Sequence, residues 1–290
     1  MQRDLTKGPI TKTMLLFAFP MILGNLFQQF YNVTDTLIVG KFLGANALAA
    51  VGSSYTLMTF LTSILLGLCM GSGAVFSIRF GERNQEKLKN SIFVSFVLIG
   101  AAAVVLNIAV FCLLDPILHL LQVPGEIYSL MREYLWMIFW GITATFLYNY
   151  FASLLRAVGN SLVPLLFLVV SALLNIVLDL YFVLIAGWGV EGAAFATVFA
   201  QFVSGIGSAV YTLWKVPQFR PGRKHCRMRK GVVREILSLS FLTSLQQSVM
   251  NLGILMVQGL VNSFGTVVMA AFAAAVKIDS FAYMPVQDFG

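Results

Sequence analysis

Asp35 and Asp179 sit inside long runs of otherwise uncharged residues. A carboxylate held near the centre of a bilayer costs ~2.5–3.5 kcal/mol on insertion scales, so such a group marks a functional site by default. Asn175 precedes Asp179 by four residues and shares its helix face. Asp35 lies nine residues before Gly44, Asp179 nine before Trp188, and Thr197 nine after Trp188. If Gly44 and Trp188 mark outer turns, all three residues lie ~13 Å below them, at one level. Two carboxylates, a carboxamide and a hydroxyl offer hard oxygen ligands to a dehydrated monovalent cation. Two neighbouring carboxyls in a low dielectric equally favour retention of a proton. The residue types therefore leave Na⁺ and H⁺ both open. Simple interhelical hydrogen bonding would account for a lone Asn or Thr, but less readily for two aspartates.

The elements that must position these residues are membrane helices. Hydrophobic residues make up 59% of the chain, charged residues 11%, and the mean hydropathy is +0.86. That is too apolar for a soluble core with a solvated shell. Uncharged runs such as 42–78, 90–114 and 157–178 exceed the ~20 residues that a spanning helix needs. None alternates as a barrel strand does, so the expected fold is an all-α integral membrane bundle. Gly, Pro and charge clusters predict helices over 11–42, 46–78, 88–121, 125–155, 160–186, 190–215, 232–263 and from 266 onward.

With the first helix running outward, one side collects 16 of the 19 Lys and Arg residues, from Arg3, Lys7 and Lys12 to Arg234. Lys41 and Arg132 fall on the other side, and Lys277 within the last helix. The N-terminus is thus expected in the cytoplasm, in a multi-pass protein of the cell membrane. No signal-peptide cleavage pattern precedes the first run. Residues 1–215 form the expected six-helix lobe, 216–231 a basic cytoplasmic linker, and 232–290 the start of a second lobe. The linker reads as a solvated loop near anionic lipid. The net charge of +7 follows from this topology, and no nucleic-acid partner is implied. Cys69, Cys112 and Cys226 show neither metal nor disulfide spacing.

An offset of 221 residues carries LGANALAAV at Leu43 onto FGTVVMAAF at Phe264, and the first helix onto the seventh. Six helices separate the two, so both run in one direction and the repeat is parallel. A complete second copy would need about 150 further residues. The offset sets Met256 opposite Asp35, so the carboxylate is not duplicated.

The stretch FPMILGNLFQQFYNVTDTLIVGKFLGANALAAVG resembles the first-helix signature of the multidrug and toxic compound extrusion (MATE) exporters. So do LLRAVGNSLVPLLFLVVSALLNIVLDLYFV across the fourth and fifth helices, and GVEGAAFATVFAQ opening the sixth. The resemblance covers the whole chain and implies two six-helix lobes, of which this sequence holds one and the first two helices of the next. It implies that Asp35, Asn175, Asp179 and Thr197 form the cation or proton site, with Tyr134 and Asn149 in the same polar network. It also implies that Pro20 is a hinge in the first helix, which a missing backbone donor permits. Gln28, Gln29, Gln246, Gln247 and Asn251 are candidates for the substrate cleft between lobes. Some relatives carry a carboxylate on the seventh helix, and none appears here.

The function implied is antiport, exporting amphipathic cationic compounds in exchange for Na⁺ or H⁺, by a protein that is monomeric when full length. No other cofactor is implied. A flippase of lipid-linked oligosaccharides shares the architecture, but its cavity would need cationic side chains for pyrophosphate. Arg156 is the only basic residue on the inner side between Lys89 and Lys215. A non-transporting fragment is the remaining alternative. Enzymatic readings fail because His119 and His225 lack partners at metal or triad spacing, and no Walker motif is present.

Overall fold

The structure, a computed structural model, describes residues 10–289. Arg3 and Lys7 lie outside the described residues, as do the side chains of Lys12 and Lys277. The described chain is helical, with no strand among the described residues. The helices are α1 (Ile10–Leu43), α2 (Ala45–Gly81), α3 (Gln85–Leu120), α4 (Gly125–Ile138), α5 (Gly141–Ala157), α6 (Leu162–Asp179), α7 (Gly189–Lys215), α8 (Lys230–Asn262) and α9 (Thr266–Phe289). Apolar length qualifies α2, α3, α6 with its extension, and α7 as membrane spans among the described residues; α4 with α5 makes a fifth, bent one. Helices α1 and α8 are as long, at 34 and 33 residues, but carry more polar side chains. Large apolar residues such as Val105, Ile108 and Leu173 are exposed. In water they would aggregate, whereas against lipid they are solvated.

Two predicted helices differ in form. The fourth, expected unbroken over 125–155, bends by 46° between α4 and α5. The carbonyl of Phe139 at this break accepts a hydrogen bond from Asn107 Nδ2 on α3 at 2.7 Å. A polar side chain thus satisfies a backbone group that lipid could not. The fifth ends not as an α-helix but as a π-helical segment, Leu180–Ile185, directly after Asp179. Wider i→i+5 turns rise less per residue, so counting α-helical steps back from Trp188 overstates the depth of Asp179.

Helix α2 is the centre of the bundle. Its apolar window is 56% buried against 22% for α3, and it packs on α3, α4, α5, α8 and α9. Along α8 its partners run from Ser53 opposite Asn262 and Thr56 opposite Gln258 to Gly67 against Ser244 and Gly71 against Ser240. One number rises as the other falls, so α2 and α8 are antiparallel. A methyl group on Gly71 would lie 2.4 Å from Ser240 Cα, and one on Gly67 2.3 Å from Ser244 Cα. Glycine is what lets these backbones touch. Arg79 Nη2 lies 2.7 Å from Glu235 Oε1 beyond the end of this seam.

Helices α1 and α2 are joined at Gly44 and are likewise antiparallel, with Gly40 beside Leu48. It follows that α1 and α8 run in the same direction, as the parallel repeat requires. The turn repeats in detail, since Gly44 and Gly265 both have φ of 91°.

The linker is exposed along most of residues 222–230, as a solvated loop would be, but it is anchored to α3 at His225. His225, 5% exposed, places Nε2 2.9 Å from Glu86 Oε2, and its Nδ1 accepts from the Gly222 N–H at 3.0 Å. That acceptance puts the ring proton on Nε2, which donates to Glu86. Asn90 Nδ2 donates to the carbonyls of His225 and Arg227 at 2.7 and 2.8 Å. Charge density alone predicted a free loop, because the partners lie more than 130 residues away on α3.

Candidate functional site

Asp35 on α1 and Asp179 at the end of α6 are 8% and 0% exposed, and their carboxyl groups interact directly. Helices α1 and α6 pack along one another, which brings together residues 144 positions apart. Asn175, one turn before Asp179, donates from Nδ2 to Thr197 Oγ1 on α7 at 3.1 Å. Both are buried. The four residues thus meet inside the first six-helix lobe. Thr197 is level with Asn175 and not, as expected, with Asp179, because of the π-helical segment between Asp179 and the turn. Both oxygens of Asp179 and the Oδ1 of Asn175 are buried, with the Asp35 carboxyl and the Asn175 carboxamide as the side chains beside Asp179. The arrangement presents carboxylate, carboxamide and hydroxyl oxygens to one small volume, a set suited to a cation or a proton.

Two phenols lie beside it and a third lies behind one of them. Tyr134 on α4 is buried and lies within electrostatic range of Asp35, Asp179 and Tyr31. Tyr31, one turn before Asp35, lies in range of Asp35, Asp179 and Tyr55 on α2. The sequence reading missed Tyr31 and Tyr55. The four-residue spacing of Tyr31 to Asp35 was the available signal for the first, and only tertiary packing reveals the second.

Asn149 is not part of this cluster. It lies on α5, past the break that separates it from Tyr134, and donates to the Thr145 carbonyl of its own helix at 2.9 Å. Pro20 is half-buried within α1, which is helical on both sides of it. Ser161 Oγ donates to the Phe17 carbonyl just below the proline at 3.0 Å, tying this part of α1 to the turn before α6. The cleft candidates are dispersed. Gln28 and Gln246 are exposed, Gln29 and Gln247 half-buried, and Asn251 buried. Gln247 Nε2 reaches Met70 Sδ on α2 at 3.9 Å, and Asn251 donates back to the Gln247 carbonyl. Among the described residues α8 packs mainly on α2, with smaller contacts to α3 and α9, and α1 packs mainly on α6.

Comparison with known proteins decides the family. The MatE family model matches residues 20–181, more than half the chain and both aspartates. The chain belongs to the MATE family. The probable multidrug resistance protein YpnP of Bacillus subtilis is 31% identical over 288 residues, covering 99% of this chain and 64% of that protein. A solved structure described as the outward-facing conformation of a multidrug resistance MATE family transporter of the MOP superfamily matches with a TM-score of 0.87 at 25% identity. It covers 98% of this chain and 63% of that one. The inward-facing conformation of such a transporter matches with a TM-score of 0.82 at 25% identity, over 90% of this chain and 60% of that one. The chain therefore spans under two thirds of the length of these relatives. In MATE terms it supplies one six-helix lobe and the first two helices of a second. Its relatives are multi-pass membrane transporters of small molecules, not enzymes.

Proposed function

We propose that the protein is an antiporter that exports amphipathic cationic compounds in exchange for Na⁺ or H⁺, with its N-terminus in the cytoplasm. The observation that carries this reading is the buried pairing of Asp35 with Asp179 beside Asn175 and Thr197. Two adjoining carboxyl groups in a membrane interior are stabilised by a positive charge, and a Na⁺ or a proton supplies it. Exchange requires that this charge be held more tightly in one conformation than in the other. A relative has been solved facing outward and one facing inward. Helix α1 carries both Asp35 and Pro20, so a change of bend at the proline would move one carboxyl relative to the other. Tight Na⁺ or H⁺ binding then favours one bend, and drug the other. The distribution of basic residues supports the cytoplasmic assignment of the linker end.

Ethidium efflux from vesicles containing the full-length protein tests this. An imposed Na⁺ or pH gradient should drive efflux, and Asp35→Asn should insert normally and export nothing. Efflux indifferent to both gradients would remove the reading.

A further inference from the structure

Below the aspartates the polar side chains do not stop. Each of three helices repeats one at four-residue spacing toward the linker end. On α6, Asn175 is preceded by Ser171, whose Oγ donates across to the Ala200 carbonyl of α7 at 2.9 Å. On α7, Thr197 is followed by Gln201, whose Oε1 accepts from Thr145 Oγ1 of α5 at 3.1 Å. On α5, Thr145 is followed by Asn149, and on α7 Gln201 is followed by Ser204, which donates to the Gln201 carbonyl. Because α6 runs opposite to α7, the steps on both descend together; hydrogen bonds cross between helices from Asn175, Ser171 and Thr145, whereas Asn149 and Ser204 bond within their own helices. Burial relaxes at the next step and tightens again at Ser204, which is 5% exposed. Asp179, Asn175 and Thr197 are buried, whereas Ser171, Gln201, Thr145 and Asn149 are half-buried.

Glycine clears space on this line. A methyl group on Gly141 would lie 2.7 Å from Gln201 Oε1, and one on Gly205 2.8 Å from the Ala144 carbonyl. So α5 and α7 approach closely where the carboxamide of Gln201 must lie between them. Interhelical hydrogen bonding accounts for a single Ser or Thr here, but less directly for a series that steps down three neighbouring helices together. A cation leaving a carboxylate pair does need oxygens at intervals of about one turn, ~5 Å.

We infer that Ser171, Gln201, Thr145 and Asn149 form the route by which the coupling cation or proton passes between the Asp35–Asp179 site and the cytoplasm, with Gln201 as its positioning residue. This rests on the coupling-site reading above. Gln201 would relay the ion without helping to hold it, so its loss should change rate and leave equilibrium binding alone.

The test uses proteoliposomes of the full-length protein, with radioactive sodium exchange and, for protons, pyranine fluorescence in the same vesicles. Gln201→Leu should slow exchange about tenfold while the half-saturating ion concentration stays within about twofold. Gly141→Ala should slow it similarly, because it displaces the carboxamide without removing a polar atom. Gln201→Glu and Thr145→Ser, which keep the oxygens, should exchange at nearly the unaltered rate. Should Gln201→Leu fail to insert, Gly141→Ala makes the same measurement. Exchange in Gly141→Ala at the unaltered rate overturns the route, and so does a loss of affinity matching the loss of rate. Asp35→Asn serves as the separate control. If it still binds the ion, the coupling site itself is wrong, whatever Gln201 does.

Discussion

Gly44 and Gly265 turn the chain with the same φ of 91°, 221 residues apart, yet Asp35 in the first copy corresponds to Met256 in the second. The helix pair α1–α2 and the pair α8–α9 thus share geometry and not chemistry. The symmetry can be located. Gly52 of α2 and Ala273 of α9 are separated by the same 221 residues, and they touch: a methyl group on Gly52 would lie 2.2 Å from Ala273 Cβ. A position in contact with its own repeat mate lies on the axis relating the copies, and there is room for one methyl there. The two pairs therefore meet as a near-symmetric frame, and the charge is placed in one half. Asp35 is buried, and the residue at its repeat position, Met256, carries no charge.

The largest effect expected from this comparison is on coupling. Asp35→Asn or Asp179→Asn should bring gradient-driven ethidium efflux of the full-length protein to background with normal membrane insertion. Adding Met256→Asp to Asp35→Asn should not restore it; recovered efflux would show the two halves to be chemically interchangeable. Next comes the axis. Gly52→Ala should destabilise by about 1–3 kcal/mol through overpacking, read as a lower melting temperature in detergent. The exchange Gly52→Ala with Ala273→Gly should recover most of the loss, since one methyl remains. No recovery would move the axis elsewhere.

The turns should show smaller and matched effects. Gly44→Ala and Gly265→Ala each force an L residue to a positive φ at ~1–3 kcal/mol. Both glycines have open space around them, so strain is the whole cost and the two melting shifts should agree. Unequal shifts would break the equivalence of the copies. The smallest effect concerns the connection between halves. His225→Ala removes the contact with Glu86 and the acceptor for Gly222, and trypsin should then cut the linker about threefold faster. Unchanged cleavage would mean that the Asn90 contacts and the Lys224–Glu86 ion pair hold the linker without His225.

Much of this was legible in the residues. The repeat could be read because its turn demands glycine twice, at Gly44 and Gly265. The burial of Asp35 and Asp179 could be read because an uncharged run around a carboxylate leaves few places for it but the interior. What could not be read depends on contacts between distant positions. The break after Ile138 is accommodated by Asn107, a residue with no sequence relation to it. The level of Thr197 was misjudged because nothing local announces a π-helical segment after Asp179. The anchoring of the linker escaped notice because its basic composition matches a solvated loop, and its anchors, Glu86 and Asn90, belong to a helix already explained by its apolar length.

That anchoring sets a mechanical bound. Asn90 grips the carbonyl of Arg227, and α8 begins at Lys230. Only Met228 and Arg229 lie between, so the free leash spans about 10 Å at full extension. While the strap is seated, the near end of α8 cannot swing farther than that from α3. The amplitude of any rocking between the halves at this end is fixed by two residues of slack, and shortening or lengthening the leash would reset the stroke without touching the ion site.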